Sequence, residues 1–277
     1  MSQSDEQLNS LISSLTDHFQ KRLAEMGETD PEKVLQEVND KKKEFLKNTI
    51  PDHLGQWQMK GEPVLAGDKF VIIRSWQTEL VSKMDESQSR KIIKVDPGLG
   101  FGFGHGTTLA CIKALEKYWQ GGKLLDVGTG TGVLAIVANH LHPESQIDAF
   151  DIYEDVVEQA GISLKMNNVK DKINLSVAKL EDFTNQSYDF VTANLLAQIV
   201  VENKDNLLAC VKPGGILVLS GIADKAEGRT YANFGWQPTI STGIDADSVA
   251  EEFVKIGMKY LEKIKVAEWV ALVMQRP

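Results

Sequence analysis

The chain has 277 residues, 42% of them hydrophobic and 25% charged, with a formal charge of −9. That length allows one large domain or one domain with an appendage, and the composition is ordinary for a soluble globular protein. The acidic balance argues against a broad nucleic-acid surface, which needs clustered Lys and Arg, and no apolar run is long enough to span a bilayer.

The opening "MSQSDEQLNS" lacks a basic start followed by an apolar core, so no secretory signal is expected and the cytoplasm is the default location. Leu8, Leu11, Ile12, Leu15, Phe19 and Leu23 repeat at the spacing of one helical face. Asp30 then offers an N-cap and Pro31 a first helical position, which predicts a second helix to about Leu46. Residues 1–55 thus read as a helical N-terminal extension. Its apolar face can pack on the rest of the chain or on a second subunit, so a homodimer through these helices stays open. Residues 56–95 read as a β-rich connecting segment, with "DKFVIIRSW" and "RKIIKV" as strands.

From residue 96 onward the pattern changes. A glycine-rich loop, "VDPGLGFGFGHGTT", runs into a helix at 107–119 and the strand "KLLDV". Helix and strand then alternate: "GVLAIVANHL", "QIDAFDI", "EDVVEQAGISLKMN", "INLSVA", "YDFVTAN", "IVVENKDNLLACV", the turn "KPGG" and "ILVLSGI". Such alternation predicts an α/β fold, a doubly wound, mainly parallel Rossmann-like sheet covered on both faces. In the tail, "WQPTIST" and "EWVALVMQ" read as strands, and "DADSVAEEFVKIGMKYLEK" between them reads as one amphipathic helix. Cys111 and Cys210 sit in apolar helical contexts without metal-ligand spacing, and are expected to be reduced core residues.

The most informative motif is "LLDVGTGTGVLA". A strand ends at Val127, and Gly128, Thr129, Gly130 and Gly132 make a tight turn before a helix. The spacing is G-x-G-x-G, not the dinucleotide G-x-G-x-x-G. Asp126 stands just before the first glycine, where a carboxylate suits a cationic ligand better than a pyrophosphate. Asp151 ends the next strand, where a carboxylate can accept both ribose hydroxyls, with Ile152 beside it.

This combination resembles the class I S-adenosylmethionine-dependent methyltransferases. The resemblance implies S-adenosylmethionine as cofactor, Asp126 near its methionine end and Asp151 on its ribose. It also places Glu181 or Asp182 of "AKLEDF" at the adenine. The glycine loop would then fold back over the cleft, with Phe101, Gly102 and Phe103 shielding it and Thr107 and Thr108 capping the next helix or bonding the cofactor carboxylate. A narrower resemblance lies in "DPGLGFGFGHGTTLAC", "ANLLAQIV", "LSGI" and "EWVALV", which are similar to the bacterial ribosomal protein L11 methyltransferases and their protein-lysine methyltransferase relatives. It covers roughly residues 93–225 and the last strand. The chain departs from that family at "HGTT", one residue shorter than the usual T-H-P-T-T, and in its helical first fifty residues, where the family has a small α/β module that captures the ribosomal protein.

Methyl transfer from a sulfonium needs alignment and exclusion of water, and an amine acceptor must be neutral. Asn194, at the end of "YDFVTAN", would touch both cofactor and acceptor, its side-chain oxygen orienting the attacking amine. His105 would orient substrate, take a proton, or simply pack on the loop. Trp76 and Trp236 would line the mouth. Because "NLLA" replaces N-P-P-Y, bases of nucleic acids are not expected as acceptors. The acceptor expected is an amine of a protein, with a small-molecule amine or amino acid as alternative, and a non-catalytic cofactor-binding module as a third reading.

Overall fold

The computed structural model describes residues 62–74, 77, 89–95, 102–225 and 244–277, all within one compact unit. The two N-terminal helices, the strand expected at "WQPTIST", and Trp76, Phe101 and Trp236 lie outside the described residues.

Two sheets are present among the described residues. The smaller joins β1 (Val64–Ala66), β2 (Phe70–Ile73) and β3 (Lys91–Lys94), the first pair antiparallel and the second parallel. Its Ile72 and Ile93 join the main core, while Val71 and Ile73 pack with Leu65 and Ile92 on the other side. Two polar clamps hold it to the rest. The Glu116 carboxylate accepts from the backbone N–H groups of Asp68 and Lys69 at 2.8–3.0 Å. The Asn167 side chain both accepts from Lys94 N at 2.9 Å and donates to Lys94 O at 2.7 Å. The second clamp fixes where the chain leaves β3 and enters the glycine loop.

The larger sheet contains β4 (Lys123–Val127), β5 (Gln146–Asp151), β6 (Ile173–Val177), β7 (Tyr188–Asn194), β8 (Val211–Ala223), β9 (Lys259–Val266) and β10 (Trp269–Gln275). Their spatial order is β6-β5-β4-β7-β8-β10-β9. The first five are parallel, and β10 runs antiparallel to both neighbours. The helices are α1 (Gly106–Tyr118), α2 (Val133–Leu141), α3 (Glu154–Met166), α4 (Ala197–Glu202), α5 (Lys204–Cys210) and α6 (Ala246–Lys255). Successive strand residues point to opposite faces, so Leu124 joins the core under α1, α2 and α3, while Leu125 joins the core under α4, α5 and α6. Burial on both faces explains why the central strands read as continuous apolar runs. Cys111 and Cys210 are free and buried, and burial pushes both thiols up to about 12.

Two expectations need correction. The helix expected over 245–263 ends at Lys255, and residues 259–266 form β9. Gly257 has φ +95°, and the N–H groups of Gly257 and Met258 bond back to Val254 O and Phe253 O, which closes the helix. Beyond it, pairing with β10 outweighs the helical periodicity of the sequence. The single helix expected at 199–211 is two, α4 and α5, broken at Asn203, whose side chain donates to Ile199 O.

The chain moves outward from β4 to β6 and returns to β7, so the order reverses between β4 and β7. Open α/β sheets bind ligands at the carboxyl ends of the strands flanking that point. The backbone there is tight. A Cβ on Gly221 would stand 1.9 Å from Leu195 O, and Gly221 has φ +84°. Gly221→Ala is therefore expected to cost about 3 kcal/mol or more, from the left-handed backbone and the clash together, read as a lowered urea midpoint.

Candidate active site

The site is built from the ends of β4, β5 and β7 and the start of α1. The turn after β4 is enforced by its glycines: Gly128, Gly130 and Gly132 have φ of +65°, +56° and +81°. A Cβ on Gly128 would meet Leu195 Cδ2 at 2.5 Å, and one on Gly132 would meet Leu164 Cδ1 at 2.7 Å. The turn is pinned to β5 by Thr129 N donating to Phe150 O at 2.9 Å.

Asp126 is 1% exposed, so it is an interior group and not a solvated one. Its two oxygens accept from Thr129 Oγ1 and Thr192 Oγ1, each at 2.7 Å. Burial pushes the carboxyl above the usual range, while the two hydroxyls and the Ala135 N–H oppose that shift. Asp151 sits half-buried at the end of β5. It accepts from Gly130 N at 3.2 Å and from Tyr153 N at 3.4 Å, and burial again raises its pKa against those backbone bonds. Asp126 and Asp151 thus flank the glycine turn, which joins the two carboxylates predicted from the motif.

Ile152 and Tyr153 follow Asp151 and are 57% and 61% exposed. Glu181 and Asp182 are exposed on the short 3-10 turn after β6. Asp182 accepts from Lys179 N at 2.9 Å, and Glu181 accepts from Asn206 Nδ2 at 3.2 Å.

Asn194 ends β7. Its Nδ2 donates to Thr108 Oγ1 at 3.4 Å, and its Oδ1 is buried without a hydrogen-bond partner. A second buried, unpartnered oxygen is Thr131 Oγ1, within the glycine turn. Buried polar atoms are rarely left orphaned, so one at the end of β7 and one in the glycine turn point to a ligand that completes them.

The described end of the glycine loop rests on this turn. A Cβ on Gly102 would lie 2.8 Å from Thr131 Oγ1. Phe103, expected to shield the cleft, instead packs against the core with the Arg74 guanidinium 4.4 Å from its ring centre. His105 is the N-cap of α1. Its Nδ1 accepts from Thr107 N at 3.4 Å and lies 2.9 Å from Thr107 Oγ1, and its ring packs on Trp269 at 4.6 Å. Burial lowers the His105 pKa, with Glu268 opposing. Thr107 and Thr108 are both buried in the first turn of α1.

Sequence reasoning missed Thr192. Inside "YDFVTAN" a threonine reads as a strand former, and only the pairing of Asp126 with Thr192 across β4 and β7 places it on the carboxylate. Thr131 was passed over as a spacer between glycines.

The sequence model of the family described as "Ribosomal protein L11 methyltransferase (PrmA)" matches residues 3–235. The chain is 31% identical over 222 residues to a ribosomal protein L11 methyltransferase of Bacillus licheniformis and 32% identical over 222 residues to one of Bacillus subtilis. Each alignment covers 79% of this chain and 64% of the relative, so the chain spans less than two thirds of the length of these curated relatives. Among solved structures, a ribosomal protein L11 methylase from Lactobacillus delbrueckii subsp. bulgaricus superposes with a TM-score of 0.63 at 22% identity, covering 78% of this chain and 98% of that one. At that identity the likeness establishes the fold.

The raised pKa of Asp126 has a signed consequence. The folded protein holds this proton to higher pH than the unfolded chain, so stability falls as pH rises from the ordinary carboxylate range through the raised folded value. The two hydroxyls limit that loss by bonding the charged form. Thr192→Val is expected to lower stability by about 2 kcal/mol at neutral pH. The deficit relative to the parent should shrink on acidification as Asp126 protonates, and urea unfolding over a pH series measures both effects.

Proposed function

The chain belongs to the ribosomal protein L11 methyltransferase (PrmA) family, and from that premise we propose that it transfers a methyl group from S-adenosylmethionine to an amine nitrogen of a ribosomal protein. The observation that supports this most directly is the unpartnered, buried Asn194 Oδ1 at the carboxyl end of β7. It is a neutral acceptor with no donor among the described residues, set beside a glycine turn flanked by two carboxyl groups.

The residues present fit the cofactor. Asp151 would take the ribose hydroxyls, the turn from Gly128 to Gly132 would admit close backbone approach, and Glu181 or Asp182 would serve the adenine edge. Asp126, caged by Thr129 and Thr192, would in its ionised form place negative charge behind the turn, which favours a cationic ligand over a pyrophosphate. When bound, S-adenosylmethionine supplies an electrophilic methyl group on a positively charged sulfur.

Asn194 would accept a hydrogen bond from the incoming amine and direct its lone pair. No residue need attack covalently, because position and exclusion of water supply the rate. A lysine-type amine has an ordinary pKa of about 10.4, so it must shed a proton, and desolvation in the cleft favours that loss. His105 commits Nδ1 to the cap of α1, so its contribution would be to fix the angle at which the glycine loop meets that helix. Phe101 and Gly102 would complete the cover over the cleft. The N-terminal region would serve capture of the protein substrate or self-association.

The proposal is tested by incubating the purified chain with methyl-labelled S-adenosylmethionine and either ribosomal proteins or a metabolite pool; label is expected in protein. Asn194→Ala should cut turnover roughly a hundredfold, a larger effect than its loss of cofactor affinity. Asp151→Ala should weaken cofactor binding about tenfold or more by calorimetry, since it removes a carboxylate that accepts two hydrogen bonds. Unchanged affinity in the Asp151 variant would sink the assignment of the ribose site.

A further inference from the structure

Of the eight large apolar side chains exposed among the described residues, Ile152, Tyr153, Val177, Leu196 and Ile199 lie at the carboxyl rim of the large sheet. Ile152, Tyr153 and Val177 border the ribose and adenine side. Leu196 and Ile199, 53% and 40% exposed, follow Asn194 at the start of α4.

Their orientation is forced. Leu195 turns inward, with its side chain against Gly128 and its backbone against Gly221. Leu196 is extended, with φ −57° and ψ 138°, and starts α4. Along α4, Ala197, Val200 and Val201 pack into the core shared with α5 and α6. Leu196, Ile199 and Glu202, spaced three residues apart, are exposed. Residues at that spacing are neighbours on a helix surface. They form a strip that begins two residues from Asn194 and runs from apolar to acidic. Glu202 accepts from Gln198 Nε2, and among the described residues neither it nor the exposed Asp205 of α5 forms an ion pair.

We propose that this strip of α4 is the docking face for the methyl acceptor, and that it selects a basic polypeptide segment carrying an apolar side chain next to the target amine. The inference rests on the methyltransferase reading and specifies its substrate class. Leu196 and Ile199 would cover the apolar side chain and the methylene stem of the target lysine, so that the stem enters along the same rim on which Asn194 Oδ1 waits. The unpaired carboxylates complement the basic flanks of the segment and exclude acidic ones. A free amino acid has too little apolar surface to use the strip, so the strip confers discrimination in KM and not in the chemical step.

The test uses the full chain with labelled S-adenosylmethionine and two acceptors, ribosomal protein L11 and free lysine. The double variant Leu196→Ser, Ile199→Ser should raise KM for the protein about tenfold. The saturated rate on protein, any rate on free lysine and the calorimetric cofactor affinity should all stay at the parent values. Glu202→Lys should raise KM for the protein at low salt and much less at high salt. The Glu202 site is exposed, so this variant keeps the question open to experiment even if the double variant folds poorly. A parent-like KM in both variants overturns the docking face and leaves the methyltransferase reading standing. A parent chain that methylates lysine but not the protein overturns it likewise. A parent that methylates neither acceptor nor any other ribosomal protein removes both.

Discussion

The arrangement depends on one close approach: the backbone of Leu195 against Gly221. With no side chain at Gly221, the Leu195 carbonyl comes to a point only 1.9 Å from where a Cβ would stand. Leu195 N donates to Ser220 O at 3.1 Å, and its side chain closes over Gly128. Three segments far apart in the chain, the ends of β4, β7 and β8, are thereby locked to one another. Asn194 lies immediately before the lock and Leu196 immediately after it. Their opposite directions, one into the cleft and one out to the rim, are consequences of the same constraint. Ser220 extends the lock to β10 and α1, since its hydroxyl lies 2.6 Å from Val270 O and 3.3 Å from Thr107 O.

Charge is arranged on top of this frame. Asp126 and Asp151 are both carboxyl groups whose pKa burial raises, and the donors the fold aims at them oppose that shift. The hydroxyls of Thr129 and Thr192 cannot be replaced by water at 1% exposure, so the local field at the glycine turn is set before any ligand arrives. A preorganised field costs no reorganisation when a cation binds, whereas a solvated surface acid would have to shed water first. The interior position therefore costs folding stability and supports the binding that the proposed function requires.

Much of this was legible from the residues. "KLLDV" and "YDFVTAN" mark β4 and β7 because they are apolar runs bounded by turn formers, and G-x-G-x-G after an acid names the turn. Asp126 and Asp151 are legible because one acid stands directly before the G-x-G-x-G turn and the other ends the following strand. What could not be read depends on pairing across distance. Thr192 is invisible until β7 is laid beside β4. The segment 259–266 keeps helical periodicity from "SVAEEFVK" onward, and only its partner β10 makes it a strand. Phe103 reads as a shield because its neighbours are glycines, yet it is half-buried against the core beside Arg74, a residue distant in the chain.

The residue type at the reacting end follows from the same physics. If a carboxylate stood where Asn194 stands, its charge would stabilise the ammonium form of an incoming lysine and raise its pKa, tying up the lone pair that must attack. An apolar residue would desolvate the amine but leave its direction free. A neutral amide accepts a hydrogen bond without favouring the protonated state strongly. Its Nδ2 donates to Thr108 Oγ1, which leaves Oδ1 as the end of the amide that can accept. The carboxyl groups of Asp126 and Asp151 stand at the glycine turn, on the cofactor side, and the atom offered to the amine itself is a neutral amide oxygen. On the proposed reaction this separation is what lets one small cleft hold a positive sulfur and an uncharged amine together.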